Sequence, residues 1–161
     1  MTILNRDLFR AANIDPSTKS VLEGVANYTD TLRAASRAQF AYNTNTATSS
    51  ASLTAANVTG GAKETTLNLT GTLGGAATAT LPTAAEIIAA IPNAMIGQTY
   101  RLTILNTSAG AFAWTLATAA GITLAGTLTI AQNTQRTFLV TMTAAATLTM
   151  QSLGAIAVTG V

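Results

Sequence analysis

The apolar positions change period partway along the chain. Val21, Val25, Tyr28, Leu32, Ala35, Gln39 and Tyr42 recur at spacings of four and three, the period of one helix face. Asp15-Pro16 reads as an N-cap followed by proline at the first helical position. Asn5 or Asp7 opens a shorter helix before it, with Leu8 and Phe9 as apolar contacts. Gly24, Ala35 and Gln39 weaken the seam. Asn27, Thr29, Asp30 and Thr31 are poor helix formers and suit an extended arm instead. Such a seam serves either to pack a helix on its own domain or to dock another chain, and its candidate contact residues are Val21, Val25, Tyr28, Leu32 and Tyr42.

From Thr65 the period becomes two. Leu67, Leu69 and Leu73 alternate with small or polar residues, and Gly74-Gly75 turns the chain into a strand over 77–81. Thr83-Ala84-Ala85-Glu86 is a capping box, and Ile87, Ile88 and Ile91 give the short helix a buried side before Pro92. Tyr100, Leu102 and Ile104 share one strand face. Across a turn at 106–110, Phe112, Trp114 and Leu116 return on one face, so these runs predict a hairpin. Gly126 divides 122–130 into two short strands. Phe138, Val140 and Met142, then Leu148 and Met150 past a turn at 144–146, complete the pattern.

About eight short strands predict a mainly β fold: an antiparallel β-sandwich or jelly roll with one short inserted helix, preceded by a helical or extended arm. The expected core is Tyr100, Leu102, Ile104, Phe112, Trp114, Leu116, Phe138 and Val140. The expected divisions are an arm over 1–42, a small-residue linker over 43–61, the β body over 62–153 and a tail over 154–161.

Charge sharpens this division. Nine charged residues precede Tyr42, whereas only Lys63, Glu64, Glu86, Arg101 and Arg136 follow it. Over the whole chain, 31 Thr and 33 Ala supply 64 of the 161 residues. With 9% charged residues, against about 25% in ordinary domains, the β surface points to burial against other chains. Apolar content of 48% argues against a disordered chain. The net charge of +2 is spread over both halves and forms no basic stripe, so no nucleic-acid partner is expected. Threonines interrupt every apolar run, so no membrane helix is expected, and few aromatics argue against a β-barrel. The first ten residues carry charges where an export signal needs an apolar run, so no signal peptide is expected.

Candidate chemistry is sparse. Without His or Cys, the familiar nucleophile dyads and thiolate or imidazole metal sites have no members. Of the six carboxylates, Asp7, Asp15, Glu23 and Asp30 fall in the arm, Glu86 caps a helix and Glu64 adjoins Lys63. No spacing pairs them for acid–base work. No catalytic residue, cofactor or metal ligand is expected. Trp114 or Tyr100 as a sugar platform is the alternative to core packing. Arg101 and Arg136 suit either solvated strand flanks or bridges to a neighbouring chain.

The stretches 81–92 (Leu-Pro-Thr-Ala-Ala-Glu-Ile-Ile-Ala-Ala-Ile-Pro), 97–107, Trp114-Thr115-Leu116, 126–130, 132–141 and 148–153 carry a resemblance. They resemble tailed-bacteriophage virion proteins of the capsid-decoration (cement) and head-fibre type. The resemblance implies a non-enzymatic β-sandwich or jelly roll that forms a homotrimer and binds the major capsid protein on the capsid exterior. It implies synthesis in the host cytoplasm and transfers no functional residue. The alternative it leaves open is a head-fibre, tail-associated or receptor- or carbohydrate-binding module, with a host glycan as partner.

Overall fold

The computed structural model describes residue 18, residues 20–25, residue 27, residues 40–60 and residues 63–158. The chain divides into two units, Met1–Ala38 and Gln39–Val161. In the first, all the described residues are helical.

The second unit is mainly β. In chain order it holds β1 (Phe40–Asn45), β2 (Ala51–Ser52), α1 (Ala55–Thr59), β3 (Glu64–Leu69), β4 (Ala77–Thr80) and α2 (Ala84–Ala89). There follow β5 (Thr99–Asn106), β6 (Trp114–Ala117), β7 (Ile122–Ala125), β8 (Thr129–Ile130), β9 (Thr134–Ala144) and β10 (Thr147–Ala157). The six-stranded sheet has the order β1-β3-β5-β9-β10-β7 and the four-stranded sheet the order β2-β4-β6-β8.

The first six strands alternate between the sheets, and within each sheet they run parallel. Phe40 lies beside Glu64, and Glu64 beside Arg101. In the other sheet Ala51 lies beside Ala79, and Ala79 beside Leu116. The chain therefore winds as a short parallel coil. Within this coil the two returns to the six-stranded sheet each pass one short helix, α1 before β3 and α2 before β5. A parallel pair requires such a crossover because a tight turn cannot join its strands. The antiparallel arrangement expected above is thus corrected: the sheets are mixed, and among the described residues only β5–β9, β9–β10 and β6–β8 are antiparallel.

The reason lies at the coil corners. The expected hairpin of Tyr100–Ile104 with 112–116 does not form, because β5 and β6 belong to different sheets. Between them the chain turns a corner stitched to the previous coil: Leu73 N–H donates to Ala109 O (2.9 Å) and Ala109 N–H to Gly71 O (2.7 Å). Gly71 and Gly110 hold φ of +107° and +92°, and a Cβ on either would fall 2.7 and 2.6 Å from the carbonyl oxygens of Ala47 and Leu73. Only glycine fits there without displacing backbone.

One buried cluster draws on both sheets: Leu67, Leu69, Leu102, Ile104, Phe138, Val140, Met142, Leu148 and Met150 from one, and Ala77, Ala79, Trp114, Leu116 and Ile130 from the other. Seven of the eight expected core residues are buried. Phe112 is not: it lies in the corner ahead of β6 and is 37% exposed.

The inserted helix α2 is present with its capping box. Thr83 Oγ1 accepts from Glu86 N–H, and the Glu86 carboxylate accepts from Thr83 N–H at 2.8 Å. The segment expected to be a linker contains the end of β1, β2 and all of α1, with Val58 fully buried. α1 has its own capping box, Thr54 with Asn57. The segment expected to begin a tail is the end of β10. The turn at 144–146 joins β9 to β10 as expected.

Candidate interaction surface

Alternation along β3, β5 and β9 sends one set of side chains to the core and the other to the outer face of the six-stranded sheet. Register places those outer residues in rows. One row runs Phe40, Glu64, Arg101, Leu139, Gln151; the next runs Tyr42, Thr66, Thr103, Thr137. A third joins Thr44, Asn68, Leu105, Gln135 and Ile156. The threonines are stacked closely enough that Thr103 is buried, and its hydroxyl pairs with that of Thr137 at 3.0 Å. Thr107 Oγ1 donates to Asn68 Oδ1 at 2.7 Å. In these rows only Glu64 and Arg101 carry charge, while Phe40, Tyr42 and Ile156 are more than half exposed. Such a face can be covered by another protein with few charges to desolvate.

The expected contact residues fall in different places. Val21 and Val25 are exposed on helical residues, and Tyr42 is exposed on β1. Tyr28 and Leu32 lie outside the described residues. Arg136 is committed within its own chain: Nε donates to Thr129 O (2.9 Å) and Nη1 to Ser152 Oγ (3.0 Å), tying β8, β9 and β10 together. Arg101 is exposed beside Glu64.

Trp114 is fully buried and Tyr100 nearly so, which leaves neither ring a face for a sugar. Among the described residues neither Tyr100 Oη nor Trp114 Nε1 has a hydrogen-bond partner. Burial pushes the Tyr100 hydroxyl pKa upward, so it remains protonated.

Asn106 is a structural centre hidden within its expected turn. Its Nδ2 donates to Phe112 O and Ile130 O, both at 3.1 Å, and its Oδ1 accepts from the Ser108 N–H and hydroxyl. Gln132 Nε2 donates to Ser108 O at 3.0 Å. One fully buried amide thereby holds the corner between β5 and β6 against β8. Its signal in the sequence was only an Asn ahead of Thr-Ser-Ala-Gly, which also describes a solvated turn.

Among the described residues no group of three or more Asp, Glu, His or Cys is placed to hold a metal ion. Among them, too, no helix is long and apolar enough to cross a membrane. No family model, curated protein or solved structure matches this chain.

Proposed function

We propose that this chain is a non-enzymatic structural component of a tailed-phage virion, a decoration protein that self-associates and binds the major capsid protein on the outer capsid surface. The observation that carries the reading is the broad outer face of the six-stranded sheet, neutral in its rows except for Glu64 and Arg101 and bordered by exposed Phe40 and Tyr42. Covering such a face stabilises a contact by about 25 cal/mol per Å² of apolar area. Repetition at symmetry-related positions multiplies that adhesion and stiffens a shell. Catalysis has no part in the reading.

A head-fibre or tail-associated role is the second reading, favoured by Val21 and Val25, exposed four residues apart on helical residues. Sedimentation with undecorated capsids tests the first reading. The chain is expected to pellet with shells and to raise their melting temperature. Failure to bind shells would overturn it, and loss of binding only in Val21→Asp/Val25→Asp would move the contact to the arm.

A further inference from the structure

We propose that the second half of β10 is a self-pairing edge, at which two copies of this chain join their six-stranded sheets around a two-fold axis. The inference rests on the geometry of β10 and not on the virion reading, and its even-numbered assembly departs from the homotrimer that the resemblance implies.

The two halves of β10 have different surroundings. Residues 148–151 pair with β9 on one side and β7 on the other. β7 then ends at Ala125, and the chain turns away beside Ser152 at Gly126. Beyond Ser152 only β9 pairs with β10 among the described residues. Residues 153–157 (Leu-Gly-Ala-Ile-Ala) are all exposed, with Leu153 at 52% and Ile156 at 65%. A long apolar edge without charge or proline is a template for strand addition.

The backbone has bonds to offer there. On β9, Met142 N–H donates to Gln98 O, on the β5 side. Alternation then directs Thr137 and Gln135 toward β10, where their register partners are Gly154 and Ile156. Ala155 and Ala157 consequently point their N–H and C=O groups to the open side.

The occupant follows from self-complementarity. A two-fold contact places each residue near its own copy, so any charge on the edge would meet its like. From Gln151 to Val158 there is none. The nearest charge, Arg136, is one strand inward and bonded to Thr129 and Ser152. Three strand spacings, roughly 14 Å, would separate it from its copy. With Ala155 opposite Ala155 of the second copy, Ile156 faces Gly154 and Leu153 faces Ala157, a large residue against a small one in every flanking pair. Gly154 has open space where a Cβ would stand and holds φ at +133°, so glycine is the residue that keeps both the bulge and the recess.

Light scattering on the full chain is the first test. It should give an even multiple of the 16.3 kDa chain mass. Ala155→Lys and Ala155→Glu should each stay folded, by thermal melting, and fall to half the wild-type mass. Mixing the two should restore the wild-type mass, because opposite charges then meet at the axis. Since the chain lacks Cys, Ala155→Cys should form a disulfide-linked pair on mild oxidation, whereas Ala85→Cys, exposed on α2, should not. A wild-type monomer, a trimer, charge variants that keep full mass, or an uncrosslinked Ala155→Cys would each overturn the proposal. Loss of capsid binding alone would leave this pairing intact and remove only the virion reading.

Discussion

Strands β3 to β6 and the pair β9–β10 bury one face each, but they find their partners differently. In the coil, every strand leaves its sheet before the next strand of that sheet is made, so its partner comes from another turn of the coil. In β9–β10 the partner follows at once through a two-residue turn at 145–146. The coil therefore depends on its corners, where buried polar groups and left-handed backbone must be held. Both share the buried core, but the hairpin connection itself depends only on its register. Point changes in the connections should consequently cost more in the coil than in the hairpin turn.

The largest effect is expected at the core where the two coil sheets meet. Trp114→Ala should destabilise the protein by about 3–5 kcal/mol, because it removes a fully buried ring from β6. Phe112→Ala, two residues earlier in the partly exposed corner, should cost well below that. Urea denaturation followed by far-ultraviolet circular dichroism measures both. Near-equal losses would contradict the difference between corner and strand.

Next come the corners themselves. Asn106→Ala leaves Phe112 O, Ile130 O and the Ser108 N–H without their shared partner, and each orphaned buried group costs about 1–3 kcal/mol. With the Phe112 carbonyl only part-buried and so open to water, a total loss of about 2–3 kcal/mol, below that of Trp114→Ala, is expected. Gly71→Ala should cost at least ~1 kcal/mol, since its φ is +107° and Ala47 O stands 2.7 Å from the new methyl. By contrast, Ala145→Gly in the exposed β9–β10 turn should stay within about 0.5 kcal/mol. The same denaturation series ranks the three.

The difference between coil and hairpin also explains what the sequence discloses. Phe138, Val140, Met142, Leu148 and Met150 alternate about a short turn, and here periodicity and pairing carry the same information. The box Thr83–Glu86 was equally readable, because Glu at the third helical position is the common partner. Period two says which residues face inward, and so Tyr100, Leu102, Ile104, Trp114 and Leu116 were identifiable as core. It does not say which sheet receives a strand, and Gly74-Gly75 and 106–110 look the same whether they reverse the chain or turn a corner. Thr54–Asn57 uses Asn in place of Glu, so α1 merged into a polar stretch that resembled a linker. The open edge of β10 was hidden for another reason. Its residues 153–157 are apolar, and only pairing with β9 shows that they are exposed.

The smallest predicted effect separates the halves by pH. Glu86 caps α2 on the coil connection from β4 to β5, and its hydrogen bonds from the Thr83 hydroxyl and backbone hold its carboxyl below the usual value of 4.5. A carboxyl with a depressed folded pKa stabilises the protein above its unfolded value, and that contribution is lost as pH falls through the folded value. Wild-type melting temperature should therefore acquire a downward component below about pH 4.5, relative to Glu86→Gln, which keeps a cap acceptor without the titration. Thr83→Ala should remove most of the same component, and at neutral pH should cost about 1 kcal/mol through the lost cap. Because the carboxylate is fully exposed, added salt should shrink the difference between wild type and Glu86→Gln. Identical acid profiles for wild type and Glu86→Gln would mean that the coil connection gains nothing from this charge, and that the cap acts through its hydrogen bonds alone.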